Sequence, residues 1–282
     1  MHTILVPLDG STTAERALRI AYAVAERIGA EVVAMRVRTH SEDDAHEPHG
    51  DDGDTGESYL RAAVRRFTDS APTRLLVVDG DPASQILAAA SPPDTMVCMA
   101  SHGRTGLTRL VLGSVAEEVV RHAAAPVIVV GPHGTSVPLR SERAHLVVCT
   151  DGSPAAETVV TPAASLSNLL GTTCDVIHAT PPDEDVSLDL LPAPVPIRDR
   201  AEGACRRCCE LLRDADVDAS AHLLFGEPAG AVTGHARRTH ASFIAVATHG
   251  RSGFARATLG STAADIVRLS PCPVLVVPAG AT

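Results

Sequence analysis

The stretch at residues 100–115, ASHGRTGLTRLVLGSV, returns at 247–262 as ATHGRSGFARATLGST. In both copies His-Gly-Arg-(Thr/Ser)-Gly is followed by six residues and then Gly-Ser. Each copy leaves an apolar run, 96–100 or 243–247, and enters a helix-like segment. A repeat this close constrains the chain more than any other feature: it calls for two copies of one domain, and 282 residues suit two. A glycine-rich turn between a strand and a helix presents several backbone N–H groups to an anion. Glycine allows positive φ and lets a phosphate approach the backbone closely. The pattern therefore reads as a phosphate cradle built twice, with Gly103, Gly106, Gly113 and Ser114 in one copy and Gly250, Gly253, Gly260 and Ser261 in the other.

The segments around the cradles repeat as well. Thr3–Pro7 is a short β-prone run ending in Asp9-Gly10-Ser11, and 146–149 leads likewise into Asp151-Gly152-Ser153. Ser11 or Thr12 offers an N-cap, and Thr12 with Glu15 has capping-box spacing. Ala14, Leu18, Ala21, Ala25 and Ile28 share a helical face that Gly29 closes, as Gly171 closes its counterpart. A strand at 31–37 precedes a polar loop with eight acidic residues between Glu42 and Glu57. Then come a helix at 57–69, a strand at 75–78, a Gly80-Asp81-Pro82 turn answered by Gly226-Glu227-Pro228, and a helix at 82–90. The strand 95–100, the cradle, a helix at 114–123 and the strand Val127–Val130 complete the first copy. Alternating strands and helices give parallel sheets covered on both faces, with ligands at the carboxyl ends of strands where strand order reverses. Asp9 and the Gly103 turn converge there if strands one and four are neighbours. The domains are expected at 1–133 and 144–282, with residues 134–143 as linker.

Composition removes several alternatives. All 24 basic residues are Arg, so a Walker-type P-loop, a kinase ATP lysine and Schiff-base chemistry are excluded. No Trp, two Tyr, four Phe and a net charge of −10 argue against a nucleic-acid surface. No apolar run approaches the ~20 residues of a membrane span, so no membrane partner is expected. The chain starts directly on a strand, without the pattern of a signal peptide, and its seven cysteines show no framework spacing. The expectation is a reduced, cytoplasmic setting.

VPLDGS near the start, GDP in the middle and SHG-x9-GS before PVIVV resemble the universal stress protein family, in its ATP-binding branch. The resemblance covers nearly the whole chain in two tandem copies. The family's motif is Gly-x2-Gly-x9-Gly-(Ser/Thr), and here Ala100 and Ala247 stand where its first glycine would be. The resemblance implies a five-stranded parallel sheet per domain, doubly wound and Rossmann-like, with the domains paired through their last strands. It also implies ATP as ligand with Mg²⁺ or Mn²⁺ bridging its phosphates and a homodimer of tandem chains; no catalytic residue is assigned, since the chain has no Lys to stabilise a transferring phosphoryl group and no convincing general base beyond Asp9. Asp9 and Val37, or Asp151 and Ala179, would meet adenine and ribose, beside Pro7 and Leu8. Backbone groups of Ala100, Gly103, Gly113, Ser114 and Val115 would hold ribose and phosphates; Ala247, Gly250, Gly260, Ser261 and Thr262 would do so in the second site.

Other readings stand beside these. Arg104 and Arg251 suit either a phosphate partner or an exposed surface. His102 and His249 read as capping or packing residues rather than general bases or metal ligands. Asp9 and Asp151 are also ordinary turn residues. His40, His46 and His49 match no metal motif, and Cys205-x-x-Cys208-Cys209 reads as core packing on a helix face rather than a zinc or redox pair. In function the chain is a nucleotide-responsive regulator, a slow ATPase or phosphotransferase, or a protein-interaction module with empty sites.

Overall fold

A computed structural model describes residues 2–39, 56–66, 71–102, 112–134, 144–180, 197–248 and 259–278. The acidic loop, most of the linker, His249 and the cradle residues Gly103, Arg104, Gly106, Gly250, Arg251 and Gly253 lie outside them.

The first half runs β1 (Thr3–Pro7), α1 (Thr12–Ile28), β2 (Glu31–Arg38), α2 (Gly56–Arg65), β3 (Thr73–Asp79), α3 (Pro82–Ala89), β4 (Thr95–Ala100), α4 (Ser114–His122) and β5 (Val127–Val130). The second runs β6 (His145–Cys149), α5 (Pro154–Glu157), α6 (Val160–Leu170), β7 (Thr173–Thr180), α7 (Ile197–Asp214), β8 (Ala219–Phe225), α8 (Pro228–Thr239), β9 (Phe243–Ala247), α9 (Ser261–Leu269) and β10 (Val274–Val277). The strands form one sheet ordered β3-β2-β1-β4-β5-β10-β9-β6-β7-β8. Among the described residues, pairing is parallel within each half and antiparallel only where β5 meets β10, with Ile128 opposite Leu275. The expected fold is therefore present: two tandem, doubly wound five-stranded sheets joined through their last strands.

The pairing has a plain cause. Val127–Val130 and Val274–Val277 are apolar on both faces, as a strand covered on two sides must be, and every one of these side chains is buried. One layer over the sheet packs Leu18, Leu60, Leu166 and Leu170 from α1, α2 and α6, and the other packs Ile86, Val119, Val232 and Val267 from α3, α4, α8 and α9. Burial of side chains of this size stabilises by roughly 1.5–3 kcal/mol each relative to exposure. Across the boundary α1 approaches α6, where the Arg27 Nε–H donates to the Leu170 carbonyl at 3.1 Å. A cation there also complements the negative end of the α6 dipole.

Two local expectations change. The N-cap of α1 is Ser11, whose Oγ accepts the Ala14 N–H, so Glu15 lies one position too far on for a capping box. Glu15 instead accepts from Arg66 at 2.7 Å. The first long helix of the second half breaks into α5 and α6 at Thr158-Val159, because Pro162 has no N–H for the carbonyl four residues back and a β-branched run precedes it.

Candidate functional site

In each half the strand order reverses between two neighbours, β1 and β4 or β6 and β9. Crossovers leave these strands in opposite directions, so a crevice opens at their carboxyl ends. Pro7, Leu8 and Asp9 leave β1 on one wall, and Ala100 ends β4 on the other. Asp151 and Ala247 take the same places in the second half, while Val37 and Ala179 sit near the carboxyl ends of β2 and β7.

Asp9 forms the turn that its sequence suggests: its Oδ1 accepts the Ser11 N–H at 3.0 Å and the Ser11 hydroxyl at 2.7 Å. Asp151 accepts the Ser153 N–H at 2.9 Å. Gly10 and Gly152 between them have φ of 92° and 78°, a region L side chains seldom adopt. In both turns one carboxylate oxygen is committed to the local backbone.

The two cradles share a clamp. Ser101, just past β4, donates its N–H to the Val130 carbonyl at 2.9 Å and accepts the Gly113 N–H at 2.7 Å. Thr248 does the same with Val277 at 2.9 Å and Gly260 at 2.8 Å. The start of each following helix is thus tied back to the strand that precedes the loop. A Cβ on Gly260 would lie 3.1 Å from the Thr248 carbonyl, so a larger residue there pushes on backbone.

What these helices lack is as informative. Side chains cap α1 through Ser11, α3 through Asp81, α5 through Ser153 and α8 through Glu227. Gly113 and Gly260, the N-caps of α4 and α9, offer no side-chain acceptor; nor does Val159 before α6, which continues from α5. Each helix start leaves N–H groups that need an acceptor. Ser114, Ser261 and Thr262 are exposed at these starts and Val115 is half-buried. Partial positive charge and hydroxyls at one spot suit an anion.

The sequence reading missed two residues of the first crevice. Arg36 on β2 lies over the Tyr59 ring at 5.5 Å and points its Nη1–H toward the Leu8 carbonyl at 3.5 Å. Burial and the Glu15 carboxylate push the Tyr59 hydroxyl up to about 12. The second half has His178 at the position matching Arg36, buried under α7. His102 shares a hydrogen bond between its Nδ1 and the Ser101 Oγ at 3.1 Å, beside the clamp. Cys205, Cys208 and Cys209 are buried in the α6–α7 layer, consistent with core packing. Burial pushes the Cys205 thiol up to about 12, the opposite of what a thiolate ligand or nucleophile needs.

The architecture defines a class: a tandem, doubly wound α/β protein with an anion-suited crevice at each switch point. The universal stress protein family profile matches residues 1–131 and again 142–278, so the chain belongs to that family. A universal stress protein of Mycolicibacterium smegmatis is 28% identical over 199 residues, 69% of this chain and 65% of its own length. One from Mycobacterium bovis is 29% identical over 188 residues, covering 64% of this chain and 61% of its own length. The chain thus spans less than two-thirds of the length of either relative. A crystal structure of a universal stress protein from Archaeoglobus fulgidus superposes over 99% of this chain and 96% of its own, with a TM-score of 0.70 at 21% identity, a likeness of fold. No helix among the described residues is long and apolar enough to cross a membrane.

Proposed function

We propose that the chain is an ATP-binding, nucleotide-responsive regulator of the stress response, acting in the cytoplasm, with one adenine-nucleotide site per domain and domains at 1–133 and 144–282. The observation that carries this reading is the pair of helix starts at Gly113 and Gly260, clamped to the strand ends yet lacking the side-chain caps of α1, α3, α5 and α8. Phosphates would take the free N–H positions of Ser114 and Val115, or Ser261 and Thr262, and the hydroxyls there would bond the same oxygens. Arg104 and Arg251 would add charge from the loops. Pro7, Leu8, Asp9 and Val37 would border adenine and ribose in one site, and Asp151 and Ala179 in the other. Mg²⁺ or Mn²⁺ would neutralise the phosphates without a protein cage of its own. The last strands pair within the chain, so a homodimer of tandem chains would use other surface; sedimentation tests it.

Mass spectrometry of nucleotide released from purified protein, with calorimetric titration of MgATP, tests the reading. Gly113 takes φ −69° and ψ 154°, an N-cap conformation that Asp favours. In Gly113→Asp the new carboxylate would cap α4 and occupy the anion position itself. Stability should stay within about 0.5 kcal/mol, while affinity at the first site falls tenfold or more. Gly260→Asp should do the same at the second site, with some loss of stability from the Thr248 contact. No MgATP binding at millimolar concentration would leave an interaction module, and steady-state phosphate release would make the protein an enzyme.

A further inference from the structure

Away from both crevices, three ionisable side chains converge beneath α8. Asp175 on β7 accepts from the His235 Nε2 of α8 at 2.9 Å through Oδ2, while its Oδ1 lies 3.3 Å from the His222 Nε2 of β8. The three donor atoms all lie within 4.8 Å of one another. The imidazoles are not stacked: their centroids are 5.0 Å apart and their planes cross at 52°, so they fan around the carboxylate.

A fourth imidazole fixes the frame. The Thr239 hydroxyl donates to the His235 carbonyl at 3.0 Å, so its oxygen accepts from the His145 Nε2–H at 2.8 Å. That bond sets the His145 tautomer and leaves its Nε2 3.6 Å from Asp175 Oδ2. His145 therefore borders the carboxylate without bonding it, and through Thr239 is tied to the helix turn that carries His235.

The first half shows that the fold does not require any of this. Asp175 lies in the register of β7 that Val33 holds in β2, and His222, opposite Ile177, matches Leu76, opposite Met35. His235 follows Pro228 as Ala89 follows Pro82. Three apolar residues in one half thus become one carboxylate and two imidazoles in the other. Placing polar groups where aliphatic ones suffice costs stability unless they are satisfied. Yet the His222 Nε2 is buried and makes no hydrogen bond. A cation seated between the three donors satisfies all of them at once.

We propose that Asp175, His222 and His235 form a Zn²⁺ site. Two imidazole nitrogens and one carboxylate oxygen are the donors of a three-ligand zinc centre, and tetrahedral ligands at 2.0–2.1 Å stand roughly 3.3 Å apart. Each imidazole nitrogen lies near this spacing from one carboxylate oxygen, His235 at 2.9 Å from Oδ2 and His222 at 3.3 Å from Oδ1, and one ligand atom from each residue falls within 4.8 Å of the others, so a small rotation of the carboxylate brings the three donors onto one ion. The His235 side chain is 7% exposed and that of His222 38%, so the site is anchored beneath α8 and opens toward solvent on the His222 side. Rotation of the partly exposed His222 ring would give an entry path and a fourth position for water. The site is separate from the nucleotide crevice: Asp175 precedes Ala179 by four residues on β7, roughly 13 Å along the strand.

The test uses the full chain, stripped with EDTA, dialysed and titrated with Zn²⁺ by calorimetry, with Co²⁺ as a spectroscopic probe. It is compared with a triple variant carrying the first half's own residues, Asp175→Val, His222→Leu and His235→Ala. Wild type should take up one Zn²⁺ more than the variant, show tetrahedral Co²⁺ absorbance that the variant lacks, and melt at higher temperature in Zn²⁺. Circular dichroism in EDTA checks that the variant folds; should it not, His222→Leu alone removes the most exposed ligand and should weaken Zn²⁺ by about tenfold or more. Equal zinc stoichiometry and affinity in wild type and a folded variant would overturn the proposal, as would a Co²⁺ spectrum that the substitutions leave unchanged.

Discussion

The two halves of the sheet follow one path and differ in their interiors. The first has an unbroken α1, both tyrosines, the Arg36–Tyr59 pair at its crevice and one cysteine, Cys98. The second has the broken α5–α6, no tyrosine, six cysteines, and the Asp175 cluster where the first is apolar. What they share is narrower: the Asp-Gly-Ser turn, the clamp at Ser101 or Thr248, and a helix start without a side-chain cap. The shared parts surround the crevices, and apart from the Arg36–Tyr59 pair the differing parts lie in the layers beneath them. A repeated fold can thus keep one turn-and-clamp geometry while each copy acquires its own side chains in the layers beneath.

The largest expected difference between the halves is in alkali. Burial pushes the thiols of Cys149, Cys205 and Cys272 up to about 12, from 9.0. The unfolded chain ionises these thiols above pH 9 and the folded one does not, so their stabilisation is complete below pH 9. It is lost as pH rises from 9 toward 12, on the order of 1 kcal/mol per thiol per pH unit. In the first half Cys98 shifts in the same direction, and Tyr22 and Tyr59, raised from 10.0, join only above pH 10. Burial pushes Cys98 further up than Cys149, Cys205 and Cys272, so pulsed alkylation located by mass spectrometry should label those three at lower pH than Cys98. Labelling of Cys98 first would break the comparison. Gly131 tests the junction next: a Cβ there would sit 2.2 Å from the Val267 carbonyl of α9, a backbone atom that cannot step aside. Gly131→Ala should cost about 3 kcal/mol in urea unfolding, the top of the overpacking range. A loss below about 1 kcal/mol would mean that α9 shifts freely over the end of β5.

Where a signal is local, the sequence displayed it. The strand runs, the Asp9 and Asp151 turns and the glycines closing α1 and α6 each depend on a few adjacent residues, and all lie where patterning suggests. The internal repeat showed that the two halves fold alike, while the pairing of their last strands was legible only through the family resemblance and the adjacency of β1 and β4 stood as a condition. The helix break was visible in Pro162 but masked by the smooth apolar pattern around it. The Arg36–Tyr59 stack and the Asp175 cluster were not legible, because their members come from separate elements brought together only by the crossovers. Aligning the halves by strand register, rather than by motif, would have shown Val33, Leu76 and Ala89 exchanged for ionisable residues.

The smallest expected contrast concerns the two serine caps, which look alike in sequence and differ in what they hold. The Ser11 Oγ accepts the Ala14 N–H at 3.1 Å, donates to Asp9 at 2.7 Å and heads 17 continuous helical residues. The Ser153 Oγ accepts the Ala156 N–H at 3.1 Å but heads only four residues before the break, with Pro154 already fixing the first helical φ. Removing an N-cap costs about 1 kcal/mol when fraying can spread into the helix behind it. Ser11→Ala should therefore cost about 1 kcal/mol and Ser153→Ala about half that, in paired urea titrations. Equal losses would show that caps act on their own first turn whatever follows, and that the break at Thr158-Val159 does not isolate α5 from α6. A larger loss for Ser153→Ala would mean instead that the short turn is what holds Asp151 in place at the mouth of the second crevice.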